Sequence, residues 1–422
     1  MAAADQPDWR AAGLDHLWLP YTQMKTAPAP LPVKRTEGCR LYLDDGRVLI
    51  DGIASWWTAC HGYNHPHITA AVAHQLEQMP HVMFAGLVHE PAVRLATRLA
   101  ALLPGDLERV FFSESGSVAV EIALKIARQY WRNRGEMRGK FVAFRDGYHG
   151  DTAAAMAVSD AATGMHGRGR DLLPDQLIAD LPRDAASTAR LDALLAREAL
   201  SIAAIVIEPL VQGAGGMIFH DEATLRCVRE AADRHGILLI ADEIFTGFHR
   251  TGALFACAAA GIVPDIITLS KALTGGVLPL AATVARRSVF AAFLSDDAAA
   301  ALMHGPTFMA NALACAAANA SLDLFVGEDR AGQAAAIEAA LTRDLAPCRK
   351  IAAVRDVRVK GAIGVVELER IIDHATLRRR FLEEGVWIRP FGNIVYLTPS
   401  FTIGADALAK LTSAIRRVLS ES

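Results

Sequence analysis

Apolar residues along this chain fall into two alternating rhythms. Short unbroken runs, such as Ile202–Ile207 and Ile237–Ala241, read as strands buried on both faces, because a half-exposed strand would alternate apolar with polar residues. Between them, apolar residues recur every three to four positions over 66–79, 90–103, 117–131, 222–235 and 311–325, which predicts helices. Pro66 and Pro91 fall in the first turns of the first two, where the missing N–H has no intrahelical partner to lose. Further strands are predicted over 109–112, 140–144 and 266–269. Strands separated by helices imply an α/β fold with a mostly parallel sheet covered on both faces, binding ligands at the carboxyl ends of its strands.

Nearer the start, Leu41–Leu43 and Val48–Ile50 flank Asp44-Asp45-Gly46-Arg47, a hairpin signal. From about Val326 the alternation resumes on a smaller scale and predicts a second, smaller domain. The expected organisation is an N-terminal segment (1–60) packing with that small domain, a large domain over 61–325 and a small C-terminal domain over 326–422.

With 422 residues, 52% hydrophobic and 21% charged, the chain is able to bury a large core. Its mean hydropathy of +0.23 reflects alanine-rich helices, since no apolar stretch approaches the ~20 residues needed to cross a bilayer. The 43 basic and 46 acidic residues form no long run of either sign, so neither nucleic acid nor an anionic membrane is suggested, and a small solute is the expected partner. The first residues lack a basic stretch followed by an apolar one, so a cytoplasmic location is expected. Cys39 and Cys60, the closest pair of the six cysteines, stand 21 positions apart, which provides no metal clamp; buried thiols are expected.

Candidate chemistry concentrates at predicted strand ends. Asp242 closes the run 237–241, and Lys271 follows Ile266-Ile267-Thr268-Leu269-Ser270 and precedes Ala272-Leu273-Thr274-Gly275-Gly276. An amine and a carboxylate so placed would converge on one small heterocycle, the amine at its aldehyde and the carboxylate at its ring nitrogen, as pyridoxal phosphate requires. A lysine desolvated at a strand end loses its proton more readily, as imine formation demands. For Asp242 alone, a helix cap or a buried ion pair is the plainer alternative.

Ser113-Glu114-Ser115-Gly116-Ser117 opens a helix directly after a strand and offers backbone donors to a phosphate, although many such turns carry Ser and Gly only as caps. A dinucleotide-type G-x-G-x-x-G is absent there. Tyr148 and Asp151 in Gly147-Tyr148-His149-Gly150-Asp151 bring a ring and a carboxylate to the same edge. Glu208 and Gln212 add a buried acid and an amide, and Ile244 would lie against the ring face opposite Tyr148.

These residues resemble the signature of class III, fold-type I pyridoxal-phosphate aminotransferases: Asp242-Glu243-Ile244, Gly247-Phe248-His249-Arg250-Thr251-Gly252 and Ser270-Lys271-Ala272-Leu273-Thr274-Gly275-Gly276. The likeness runs from about Trp18 to Val418. Within the class, Trp18–Met24, Ser55-Trp56-Trp57, His61–Pro66, His304–Met309 and Gly385–Phe391 resemble the branch that serves biotin synthesis. The resemblance implies a seven-stranded large domain with a smaller α+β domain, and pyridoxal 5'-phosphate joined to Lys271. It also implies Asp242 at the ring nitrogen, Gly116 and Ser117 at the phosphate and Tyr148 over the ring.

Thr307, with Gly305 and Pro306, would reach the neighbouring subunit's site, which implies a homodimer. Arg389 would bind a substrate carboxylate, while Tyr21, Trp56, Trp57, Asp151 and Tyr396 would shape the substrate pocket. S-adenosylmethionine is the implied amino donor and 8-amino-7-oxononanoate the acceptor. Lysine as donor, another omega-aminotransferase of the class and a silent cofactor-binding scaffold stay open. His249, Ala310 and Ala312 depart from the family pattern.

Overall fold

The structure, a computed structural model, describes residue 9 and residues 13–160, 174–370 and 373–421. Its first sheet begins with the hairpin-connected strands β1 (Val33–Glu37), β2 (Arg40–Leu43) and β3 (Val48–Asp51). The turn at Gly46 has φ +88, which glycine adopts without a Cβ penalty.

The large sheet takes its strands from the middle of the chain: β4 (Leu107–Ser113), β5 (Lys140–Phe144), β6 (Leu177–Ala179) and β7 (Ile202–Ile207). A short hairpin of β8 (Val211–Gln212) and β9 (Ile218–Phe219) intervenes before β10 (Leu238–Asp242), β11 (Ile266–Leu269) and β12 (Ala281–Arg286). The order is β4-β12-β11-β10-β7-β5-β6, with β12 alone antiparallel to its neighbours. Successive residues of the central strands serve opposite cores. Val206, Ile240 and Ile266 face the helix Gly116–Asn133, whose Val120, Leu124 and Ala127 are buried, whereas Ile205, Leu239 and Ile267 pack with Leu95, Leu99, Leu225 and Val228 of the helices Glu90–Leu102 and Glu222–Arg234. Each such aliphatic side chain contributes about 1.5–3 kcal/mol by leaving water. Burial on both faces explains why these strands read as unbroken apolar runs.

The remaining strands are β13 (Val354–Lys360), β14 (Ile363–Leu368), β15 (Val386–Trp387) and β16 (Ile394–Leu397). β13, β14 and β16 form an antiparallel sheet, whereas β15 pairs in parallel with β3 and so ties the two ends of the chain together. The helix predicted over 311–325 runs from Ala312 to Gly327, with the Asn311 side chain accepting from the Ala314 N–H as its cap. All six cysteines are free; Cys39 and Cys227 are half-buried, a correction to the expectation of buried thiols throughout.

Candidate active site

Six strands that run the same way bring their carboxyl ends to one edge of the large sheet. Asp242 is the last residue of β10, and its register partner on β11 is Thr268, three positions before Lys271. This pairing converts a distance of twenty-nine positions in sequence into neighbouring strand ends. Lys271 has φ +49, in the left-handed region, and opens a single 3₁₀ turn closed by Gly275 at φ +64. Its side chain is half-buried, and Nζ lies 4.3 Å from the ring centroid of Trp57 and 5.7 Å from that of Phe245. Burial lowers its pKa to about 8, against the opposing pull of Asp242 and Glu208.

Asp242 is buried, and both of its oxygens are hydrogen-bonded. Its Oδ1 accepts from the Thr268 hydroxyl at 3.1 Å and the Ile244 N–H at 3.2 Å, and its Oδ2 lies 2.7 Å from Nδ1 of His149. His149 was not among the residues singled out from sequence. It too is buried; burial opposes its charge, but the hydrogen bond and negative charge of Asp242, with Glu208, carry its pKa upward. Glu208, just past β7, accepts from the Tyr148 N–H at 3.0 Å and the Gly213 N–H at 2.9 Å. Burial pushes it up to about 7, despite the counteracting His149. The Gln212 amide donates to the Arg145 carbonyl at 2.7 Å.

The turn after β4 has the features of an anion cradle. The side chain of Ser115 caps the helix Gly116–Asn133, leaving helix N–H groups at the strand end. Gly116 is closely packed: an added Cβ would lie 2.9 Å from Cδ1 of Ile244, whose side chain would have to shift. Ser117 Oγ meets the Thr152 hydroxyl at 2.8 Å and accepts from the Thr152 N–H at 2.9 Å, joining this turn to the loop after β5.

An aromatic wall faces these groups. The Tyr21 hydroxyl contacts Asp151 Oδ2 and lies 3.3 Å from the Tyr148 hydroxyl, which donates to Asp151 Oδ1 at 2.9 Å. Trp57 packs 4.1 Å from Phe245 and 6.3 Å from the buried Tyr396, and Trp56 stands edge-on to Tyr21 at 6.1 Å. The Arg389 guanidinium lies 4.5 Å from the Trp56 ring centroid. Among the described residues no carboxylate pairs with it. Gly305, Pro306 and Thr307 lie in the loop before the helix Ala312–Gly327; among the described residues no hydrogen bond or ion pair joins them to Lys271 or its neighbours.

The departures from pattern have local accounts. Ala310 has φ +52, a conformation that explains a preference for glycine there, and its carbonyl accepts from His89 Nε2 at 2.8 Å. His249, at φ +66, bonds through Nδ1 to the Gly252 carbonyl at 2.9 Å and packs against Phe325.

Residues 21–419 match the family model described as Aminotransferase class-III. The chain belongs to that family. It is 46% identical to the adenosylmethionine-8-amino-7-oxononanoate aminotransferase of Mycobacterium leprae, over 96% of this chain and 94% of that one. It is 43% identical to the same-named protein of Corynebacterium glutamicum, over 95% and 96%. Among solved structures, the protein of that name from Methanocaldococcus jannaschii superposes with a TM-score of 0.93 at 31% identity, covering 98% of both chains. An amine transaminase from an uncultivated Pseudomonas species, in its PLP-bound form, superposes at 0.89 with 34% identity, over 96% of this chain and 98% of that one.

As a class-III aminotransferase, the protein works with pyridoxal 5'-phosphate, and its residues fit that group on independent grounds. A closely packed glycine opens a helix N-terminus for the phosphate, a lysine amine is displaced toward its neutral form, and a buried carboxylate is held by three donors without an arginine or lysine partner among the described residues.

Proposed function

We propose that this aminotransferase moves an amino group from S-adenosylmethionine to 8-amino-7-oxononanoate, giving 7,8-diaminononanoate for biotin synthesis. The observation that carries the reading is Arg389: a half-buried guanidinium set on the Trp56 ring, with no carboxylate partner among the described residues, in the wall that surrounds Lys271. Burial lowers its pKa, as does Arg378 nearby, so an incoming carboxylate would relieve both penalties. A sulfonium cation has no hydrogen-bond donors and suits the aromatic faces of Tyr21 and Trp56, at about 0.5–2 kcal/mol per contact. The names of the relatives that match nearly end to end support the same substrates.

When bound, pyridoxal phosphate supplies an aldehyde that condenses with amines and a ring that withdraws electrons from the carbon beside the nitrogen. Gly116, Ser117 and the helix they open would hold the phosphate. Asp242 would keep a proton on the ring nitrogen, its own charge held by His149, Thr268 and the Ile244 N–H. Lys271 Nζ, whose pKa is near 8, would take a proton from the donor's carbon and return one to complete the transfer. Tyr148 and Ile244 would confine the ring, with Glu208 bracing the Tyr148 backbone. Tyr21, Asp151 and Tyr396 would orient the substrate and keep water out.

On this reading residues 61–325 hold the cofactor, while 1–60 and 326–422 form its cover. The enzyme would be a cytoplasmic homodimer in which Gly305, Pro306 and Thr307 complete the neighbouring site. Exposed Met83, Val88, Met303 and Phe308 support such an interface. Among the described residues no helix is long and apolar enough to cross a membrane. The deciding experiment offers S-adenosylmethionine, lysine, alanine and glutamate separately to the cofactor-loaded enzyme and follows the visible absorption, with mass spectrometry for the diamine product. Bleaching by S-adenosylmethionine is the expected result; bleaching by lysine alone would overturn the donor assignment.

A further inference from the structure

Asp51, the last residue of β3, is only 2% exposed, yet among the described residues no cation pairs with it. Its oxygens are committed to a single turn. Oδ1 accepts from the Ile53 N–H at 2.8 Å, and Oδ2 accepts from the Ser55 N–H at 2.8 Å and from the Tyr63 hydroxyl at 2.6 Å. Because Tyr63 gives its proton to Asp51, its oxygen is left to accept from Ser55 Oγ, which closes a ring of bonds around the turn.

That turn would not hold itself. Ala54, Ser55, Trp56 and Trp57 have φ values of +45, +46, +54 and +76, four consecutive residues with side chains in a region that such residues ordinarily visit singly. None is glycine, so each opposes the conformation. The result is to turn two successive indoles toward different groups: Trp57 lies against Lys271 Nζ, and Trp56 lies against Arg389. A regular helix or strand would place adjacent side chains elsewhere.

We propose that Asp51, with Tyr63, is a positioning pair of the active site: the carboxylate and phenol hold the left-handed Ala54–Trp57 turn that seats Trp57 against Lys271 and Trp56 against Arg389. Neither residue touches the reacting atoms. Their effect reaches substrate through the two indoles. The kinetic consequences rest on the function proposed above, whereas the conformational ones do not.

The test uses the full chain carrying Tyr63→Phe, which removes one hydroxyl and keeps the ring, beside the more severe Asp51→Asn. With 5-fluorotryptophan incorporated and no cofactor or substrate present, the fluorine resonances of Trp56 and Trp57 should shift and broaden in Tyr63→Phe, while that of Trp131 stays. In the loaded enzyme, KM for the carboxylate-bearing acceptor should rise about tenfold with kcat changed far less, as expected when uniform substrate binding is lost. Adding Ala54→Gly to Tyr63→Phe should restore much of that KM, because glycine adopts φ +45 without help. Unmoved Trp56 and Trp57 resonances in both variants, an equal change at Trp131, or failure of Ala54→Gly to rescue would each overturn the assignment. Lack of turnover in the unaltered enzyme, with resonances altered in the variants, would sink the proposed reaction and leave the positioning role standing.

Discussion

Nδ1 of His149 lies 2.7 Å from Oδ2 of Asp242, with both side chains buried at the carboxyl edge of the large sheet. The contact fixes which imidazole nitrogen faces the carboxylate and supplies a donor that water cannot replace there. Replacing His149 by alanine should therefore lower kcat by roughly ten- to a hundredfold while the chain still folds, the range seen when a supporting partner of a functional ligand is lost. Faster cofactor loss on dialysis should accompany it. Steady-state rates and absorbance after dialysis measure both, and an unchanged kcat with retained cofactor would remove His149 from the machinery.

The burial that lowers Lys271 to about 8 has a definite sign in a pH titration. An amine attacks an aldehyde only when uncharged, and the uncharged fraction grows as pH rises toward the pKa. In cofactor-free enzyme the rate of capture of pyridoxal phosphate should climb about tenfold per pH unit below 8 and flatten above it. An unburied lysine would keep climbing toward 10.5, its ordinary value. Stopped-flow absorbance across pH 6 to 10 separates the two outcomes. Lys271→Ala should abolish capture, and transamination with it.

Legibility in the sequence followed burial. The strands Lys140–Phe144 and Ile202–Ile207 stood out because nearly every side chain is covered, so the apolar run maps directly onto the strand. β6 and β12 gave no such signal: one has three half-buried residues, and the other is an alanine-rich segment whose strand state is set by its neighbours. Asp242 and Lys271 were legible because each follows a buried strand, and parallel neighbours bring such ends together. His149 sits in a loop, ninety-three positions from Asp242, and no periodicity marks it; the only available cue was its place between Tyr148 and Gly150. The Ala54–Trp57 turn was equally silent, since positive φ without glycine follows from the surrounding bonds and not from the residues that adopt it.

Arg389 offers a planar fork of donors with no carboxylate among the described residues to satisfy it. A lysine at that position would keep the charge but lose both the fork and the flat face on Trp56. Arg389→Lys should raise KM for the acceptor by about ten- to a hundredfold, the 1–3 kcal/mol of a charge-assisted hydrogen bond, and Arg389→Ala by more. Donor-driven bleaching of the cofactor should suffer less. Equal losses in both half-reactions would assign Arg389 to the donor's carboxylate as well.

Gly150 separates two costs of a side chain at the turn that packs on Ser117. Its φ is +125, and an added Cβ would stand 2.8 Å from Cα of Ser117, which is backbone and has little freedom to move aside. Gly392 has φ +53 with open space around it, so alanine there incurs backbone strain alone. Gly392→Ala should cost about 1 kcal/mol of stability, and Gly150→Ala about 1–3 kcal/mol more, because a collision is added to the strain. Since relief of that collision displaces Ser117 and the start of its helix, Gly150→Ala should also weaken cofactor binding, whereas Gly392→Ala should leave it intact. Denaturant melts and fluorescence titrations with pyridoxal phosphate measure the two effects. Equal affinity in both variants would show that the close approach of Gly150 to Ser117 serves packing and not the cofactor.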